Sequence, residues 1–240
     1  MPRPAGRVPP DNLLLAALPP REYARLLPCL EVVPLPFKAV LYEPGRVVSD
    51  IHFPLRGAVS VLSPAEGRPE GIEVGVVGRE GAVGLPVFLG VESAFFRYLV
   101  QVPGEALRMR AAELRRRVGR DSALHELLLR FTHTFVIQLS QTVACNSLHP
   151  IEKRLCRWLL SVHDRADDDH FPLTHEFLAA MLGVRRATVT VAAGTLQRAG
   201  LIAYRRGDIT ILDRQGLEDV ACEDYAAIRD AFDRLLALPT

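Results

Sequence analysis

Two pairs of arginines in the last third of the chain are the residues whose type and spacing best fit a chemical task. Arg185 and Arg186 open a predicted helix, and Arg205 and Arg206 stand between two short apolar runs. Guanidinium groups bind phosphates and match the paired acceptors of guanine. The net charge is only +1, from 29 basic and 28 acidic residues, so attraction to a polyanion must come from such local patches. These arginines predict a DNA-binding surface.

The segment around the first pair, HEFLAAMLGVRRATVTVAAG over residues 175–194, has the pattern of a helix-turn-helix. Gly183 supplies the left-handed turn residue between two helices with apolar faces. Thr174 is a suitable N-cap for the first helix. The predicted buried positions are Leu178, Ala179, Leu182, Val184 and Val189.

A β-hairpin is predicted directly after the second helix, which ends at Ala199 and Gly200. Apolar runs at 201–204 and 209–212 flank the turn Arg205-Arg206-Gly207-Asp208, so the second arginine pair lies at the tip of a wing. Either pair alone is compatible with an ordinary solvated turn, but together they lie on the exposed side of one motif. The candidate DNA-binding residues are Thr174, Arg185, Arg186, Ala187, Thr188, Thr190, Val191, Arg205 and Arg206.

The chain before this motif has the composition of an all-β domain followed by a helix. Short apolar runs at 39–42, 50–54, 57–62, 72–77, 96–102 and 105–109 are separated by Pro and Gly, which predicts a jelly-roll or closed barrel. An amphipathic helix interrupted by Pro19 and Pro20 precedes it, over 11–27.

Residues 111–145 form a predicted long helix that only Gly119 interrupts. Its apolar residues recur every three or four positions and make one stripe. A core helix on its own barrel would explain the stripe, but a helix between two domains has little intramolecular surface to cover it, so we predict a dimer seam. The predicted seam residues are Leu124, Leu128, Phe131, Phe135 and Leu139.

The predicted class is therefore α+β, with a jelly-roll barrel, a long dimerisation helix and a winged helix-turn-helix. The predicted divisions are a disordered tail at 1–10, a sensor barrel at 11–110, a dimerisation helix at 111–147 and a DNA-binding domain at 148–240. The last contains a helix over 152–162, an acidic loop over 164–169 and a C-terminal helix after Asp213.

Composition argues against several other classes of protein. Cys29, Cys145, Cys156 and Cys222 show no CxxC spacing, so we expect free thiols, no metal site and no cofactor. No apolar run of membrane length and no signal-peptide pattern is present, so we expect a cytoplasmic protein.

Several segments of this sequence resemble those of a known family. LTHEFLAAMLGVRRATV, GLI and YRRGDITILD resemble the winged helix-turn-helix of the bacterial CRP/FNR superfamily, EPG with IHFPLRGAVSVL resembles its cyclic-nucleotide-binding-like barrel, and IEKRLCRWLL resembles the first helix of its DNA-binding domain. The resemblance implies a homodimeric transcription regulator that binds a palindromic operator and contacts RNA polymerase. It also implies that Arg186 contacts a base, while Ala187 and Val191 replace the Glu and the second Arg of the best-studied members.

The family's nucleotide site is altered in this sequence. Gly84 is followed by Leu85 where the family has a ribose-binding Glu, and Arg97, beside Tyr98, is one residue out of register. A shift of one residue in a strand turns a side chain to the opposite face. Gly84, Leu85, Arg97 and Tyr98 therefore mark a possible pocket for a small-molecule effector other than cyclic AMP. An iron-sulfur cluster is not expected either, because only Cys29 precedes residue 141.

Two other functions fit parts of the sequence. A cupin-type metalloenzyme requires several histidines in the barrel, where only His52 occurs. A ligand-binding barrel whose C-terminal domain contacts proteins is the alternative to DNA binding. We expect no catalytic site.

Overall fold

The computed structural model describes residues 3–4, 11–166 and 168–237. Most of the predicted disordered tail, and Asp167 of the predicted acidic loop, lie outside this part of the chain. Within the tail, Arg3–Pro4 is described, and it forms a short strand, β1, that pairs with Glu31 and Val32.

The N-terminal domain is an antiparallel sheet with order β1-β2-β6-β4-β5, and β3 pairs with β6. Two pairs of predicted strands are each one long strand here, because bulges bend a continuous ladder. At one bend Gly104 is required, since a Cβ there would overlap the carbonyl oxygen of Arg56. The elements are β1 (Arg3–Pro4), α1 (Leu13–Ala16), α2 (Pro20–Leu26), a 3-10 turn (Leu27–Cys29), β2 (Glu31–Leu35), β3 (Val40–Tyr42), β4 (Asp50–Ala65), β5 (Arg68–Val77), α3 (Leu85–Phe88) and β6 (Arg97–Arg110).

The predicted long helix is two helices, α4 (Ala111–Arg117) and α5 (Ala123–Leu148). The break surrounds Gly119, and Ser122 caps α5 by accepting a hydrogen bond from the amide of His125 at 3.2 Å. The carboxylate of Glu22 accepts hydrogen bonds from the first two amides of α5, those of Ala123 and Leu124, at 3.0 and 2.9 Å. These acceptors stabilise a new helix start where the sequence predicted continuity.

The predicted dimer stripe on α5 is covered within the chain, so the reason for placing a seam there is wrong. Leu124, Leu128 and Phe131 are at most 1% exposed and Phe135 is 7% exposed, while Leu139 is partly buried against the same core. The barrel covers one side of the stripe. The C-terminal helix covers the other, with the Phe131 and Phe232 ring centroids 6.4 Å apart.

The C-terminal domain follows at Pro150, which precedes α6. Its sheet has the order β7-β9-β8. The single helix predicted after Asp213 is two helices, and Asp213 caps the first by accepting from the amide of Gly216 at 2.9 Å. The elements are α6 (Ile151–His163), β7 (His170–Pro172), α7 (His175–Leu182), α8 (Arg186–Arg198), β8 (Ile202–Arg205), β9 (Asp208–Ile211), α9 (Arg214–Val220) and α10 (Glu223–Ala237).

The two domains share buried contacts. Leu62 and Val76 of the barrel belong to the same apolar core as Trp158 of α6. A buried ion pair also joins Arg165, just after α6, to Glu80 of the barrel at 2.8 Å. The orientation of the C-terminal domain is therefore set by the barrel.

Candidate nucleic-acid interface

α7 and α8 form the predicted helix-turn-helix, and their axes differ by 107°. Gly183 ends α7 with φ of 67°, the left-handed conformation that its position predicted. Leu178, Leu182 and Val189 are at most 3% exposed and hold the two helices together. No single helix among the described residues is long and apolar enough to span a membrane, although α7 and α8 taken together meet that criterion as a bent pair.

The N-terminal turn of α8 is exposed and basic. Arg185 is its N-cap and Arg186 its first residue, and both point to solvent. The guanidinium of Arg186 lies 3.7 Å from the Glu176 carboxylate, but these side chains are 70% and 79% exposed. Such a solvated pair contributes little, so Arg186 is available to an incoming anion.

The same face of α8 continues with small and apolar side chains. Ala187 is exposed, Val191 is 66% exposed, and the hydroxyl of Thr190 donates to the carbonyl of Arg186 at 3.1 Å. Thr188 is only partly exposed. No side chain in the described chain caps the start of α8, so its first amides remain available as donors to a phosphate oxygen.

The predicted wing is present as the hairpin of β8 and β9. Arg205 pairs with Asp208, so the turn is only Arg206 and Gly207, with φ values of 52° and 91°. Two positive φ angles define the tight turn that matches the strand twist. Arg205 and Arg206 are exposed at its tip, where the sequence placed them.

Thr174 lies where the wing meets the helix-turn-helix. Its side chain accepts from the amide of Phe177 at 3.1 Å and caps α7 as predicted. The preceding amide, of Leu173, donates to the carbonyl of Gly207 in the wing turn at 2.7 Å. The wing and α7 are therefore held in a defined orientation.

Three residues that the sequence argument missed also position the wing. The His175 ring stacks on Tyr204 with centroids 4.0 Å apart, and the side-chain oxygen of Gln197 accepts from the Tyr204 amide at 3.0 Å. Burial, and then the charge of Arg186, lower the pKa of His175, which favours a neutral ring. Its Nδ1 lies 3.0 Å from the hydroxyl of Thr190. The sequence did contain a signal for this stacking contact, namely an aromatic residue in the first predicted wing strand and a histidine at the start of the first helix of the motif.

The four residues predicted for an effector pocket separate into two groups. Gly84 and Tyr98 both approach Tyr42, whose hydroxyl donates to the carbonyl of Asp50 at 2.6 Å and lies 2.8 Å from Nδ1 of His52. Leu85 is buried in the adjacent core, whereas Arg97 leaves this cluster and pairs with Glu43 at 2.8 Å.

Burial favours the uncharged forms of the polar groups in this cluster. Burial lowers the pKa of His52 to about 4 and raises that of Tyr98 to about 12. The Tyr42 pKa is also raised, again chiefly by burial. The interior thus offers aromatic surface and neutral donors, and Arg97, the one cation among the four predicted pocket residues, is already paired with Glu43.

Residues 153–220 match the model of the Crp-like helix-turn-helix domain. No curated protein matches the chain by sequence.

Solved structures share its fold at low sequence identity. FixK2 from Bradyrhizobium japonicum is 16% identical with a TM-score of 0.66, covering 80% of this chain and 98% of its own. A CRP/FNR-family transcriptional regulator from Thermus thermophilus is 20% identical with a TM-score of 0.61 and the same coverage. A CRP-family regulator from the same organism is 20% identical with a TM-score of 0.62, covering 79% and 96%.

Proposed function

We propose that this chain is a CRP/FNR-type protein and acts as a homodimeric, sequence-specific DNA-binding regulator of transcription. Its Crp-like helix-turn-helix domain and the fold that it shares with solved CRP/FNR-family regulators support this proposal. The observation that carries the proposal is the exposed, uncapped basic start of α8 beside a wing with two arginines at its tip. A recognition helix enters the major groove by its N-terminal residues, and a neighbouring wing reaches the phosphates.

Within this surface the arginines have different tasks. Arg186 projects into solvent from the first turn of α8, and its guanidinium contacts the N7 and O6 acceptors of guanine. Arg205 and Arg206 contact DNA phosphates, and Arg185 and Thr174 contact the same phosphate backbone. Ala187 and Val191 have no hydrogen-bonding side chain and pack on thymine methyl groups, which gives an operator different from that of regulators with Glu and Arg there.

The dimer forms through the outer face of α5. Its exposed apolar residues Leu129, Val136 and Val143 are spaced by seven, and exposed His133 and Ser140 alternate with them in a 4-3 pattern. A repeat of seven keeps one face of a helix against a partner, so a second copy of α5 covers this row across a two-fold axis. The two recognition helices then lie about 34 Å apart, one helical turn of DNA.

The barrel acts as the sensor, because its contacts reach the helix-turn-helix directly. Arg68 of β5 donates to the carbonyl of Gly183 at 2.9 Å, and the side chain of Ile72 lies beside the same glycine. A small-molecule effector that shifts β5 therefore shifts the turn between α7 and α8. The protein binds its operator in the cytoplasm beside RNA polymerase. The effector-bound state of the barrel is thereby coupled to transcription without any catalytic step.

Arg186→Ala tests the DNA-binding proposal against Arg205→Ala. Arg186→Ala is expected to cost about 1–3 kcal/mol on a specific site and to relax the preference at one base pair of each half-site. Arg205→Ala should weaken all sequences alike and reduce the salt dependence by about one unit of slope. Titrations of specific and random duplexes at several salt concentrations measure both effects. If Arg186→Ala weakens binding to both duplexes equally, Arg186 does not contact a base. If the unmodified protein binds no selected duplex, the DNA-binding proposal is wrong.

Cyclic AMP is expected to bind weakly if at all. Leu85 is an apolar side chain where a ribose-binding carboxylate is needed, and the Arg97 guanidinium is held by Glu43 instead of facing a phosphate. Calorimetry at millimolar nucleotide should show little heat, and DNA affinity should not change. Saturable binding of cyclic AMP would contradict this prediction. If Glu43→Gln made that binding tighter, the cyclic phosphate would be recruiting Arg97 from its pair with Glu43.

A further inference from the structure

Two of the cysteines that are scattered in the sequence meet at the end of α5. The Cys145 and Cys222 sulfurs are 3.2 Å apart, and with a carboxylate oxygen of Asp224 they form a group whose members all lie within 4.8 Å. All three residues are buried. The sequence could not show this, because 77 positions separate the two thiols.

The surroundings of this group are polar and incompletely satisfied. Oδ2 of Asp224 has no hydrogen-bond partner among the described residues, although the side chain is only 7% exposed. Nε2 of His149 lies 3.1 Å from that oxygen but is not aligned as a hydrogen bond. A buried carboxylate oxygen without a partner is costly, and a bound cation would satisfy it.

We propose that Cys145, Cys222, Asp224 and His149 bind a divalent transition-metal ion of the zinc type. Thiolate sulfur, imidazole nitrogen and carboxylate oxygen are the ligands of tetrahedral Zn²⁺. Three of the four donors are already grouped, and the His149 imidazole lies beside them, with its Nε2 3.1 Å from the Asp224 carboxylate. The site goes beyond the proposed function, and its test needs no DNA.

A bound divalent ion offsets most of the negative charge of its ligands. Two thiolates and one carboxylate contribute three negative charges, the ion contributes two positive ones, and the Arg154 and Arg157 guanidinium groups both lie close enough to interact with Cys145. Arg157 is buried, and its Nε donates to the sulfur of Cys145 at 3.2 Å. Such an outer hydrogen bond orients a thiolate ligand without occupying the metal's coordination sphere.

The separation of the sulfurs fits a shared ion better than a disulfide. Two sulfurs that each lie 2.3 Å from a tetrahedral Zn²⁺ are about 3.8 Å apart, whereas a disulfide requires about 2.05 Å. From 3.2 Å the thiols need to separate by about 0.6 Å to share the ion, and to approach by about twice that distance to form the bond. A bound ion would clamp the start of α10 to the junction between α5 and α6.

Cobalt titration of the full-length, reduced protein tests the site. We expect one Co²⁺ per chain, with a thiolate-to-metal charge-transfer band and the visible bands of tetrahedral cobalt, both displaced by Zn²⁺. Cys222→Ser and Asp224→Asn should lose or weaken these bands and bind Zn²⁺ at least about tenfold more weakly in chelator competition. Cys156→Ser is the matched control, since that buried thiol on α6 lies outside the group.

Stability gives a second readout that does not depend on cobalt. Zn²⁺ should raise the Tm of the unmodified protein and of Cys156→Ser but not that of Cys222→Ser, because only a native site binds the ion. Circular dichroism confirms that each variant is folded. Absence of tetrahedral cobalt bands, equal bands in Asp224→Asn, or loss of two hydrogens in a Cys145–Cys222 disulfide with no metal uptake would each overturn the proposal.

Discussion

Val136→Asp is expected to convert the protein from a dimer to a folded monomer. Val136 is the central residue of the exposed row on α5 and is 51% exposed in the single chain. Across a two-fold axis the substitution places two carboxylates in an apolar seam, where desolvation and like-charge repulsion both oppose association. Sedimentation velocity at micromolar concentration measures the loss.

Two variants make this result specific to the seam. Val47→Asp is the matched control, because Val47 is 72% exposed on the barrel and should leave the dimer intact. Phe131→Asp, on the buried stripe, should unfold the chain instead, since Phe131 is fully buried in the intramolecular core. If Phe131→Asp gave a folded monomer while Val136→Asp stayed dimeric, the dimer contact would lie on the stripe that the sequence predicted and not on the outer row of α5.

Glu80→Ala is expected to cost about 3–5 kcal/mol of unfolding free energy, because it leaves a buried guanidinium without its carboxylate. Nε and Nη2 of Arg165 both lie 2.8 Å from the same Glu80 oxygen, and the two side chains are 7% and 10% exposed. That oxygen also accepts from the amide of Gly78 at 2.9 Å. Urea unfolding should show a lower midpoint at an unchanged m-value.

An exposed ion pair on α5 provides the comparison. Glu126→Ala removes one ion-pair partner of Arg130, but the Glu126 and Arg130 side chains are 53% and 26% exposed, so water replaces the lost contact. We expect a change within about 0.5 kcal/mol. Equal effects of the two substitutions would show that Glu80 does not hold the domains together.

The helix-turn-helix was predictable from sequence because its constraints are local. Gly183 had to adopt a left-handed turn, Thr174 had to cap α7, and Leu178 and Leu182 had to share one helix face. Each requirement acts over fewer than five residues, so the pattern of residue types identified the motif and its exposed arginines. The wing turn at Arg206 and Gly207 followed from the same short-range rules.

What sequence alone could not decide were the partners of surfaces that meet across long separations. The stripe through Phe131 was correctly identified as apolar, but only the tertiary structure showed that α10 returns, about a hundred residues later, to cover it. The same return brings Cys222 to Cys145 and leaves Val136 facing outward. Periodicity states that a face must be covered, whereas the packing of the whole chain decides what covers it.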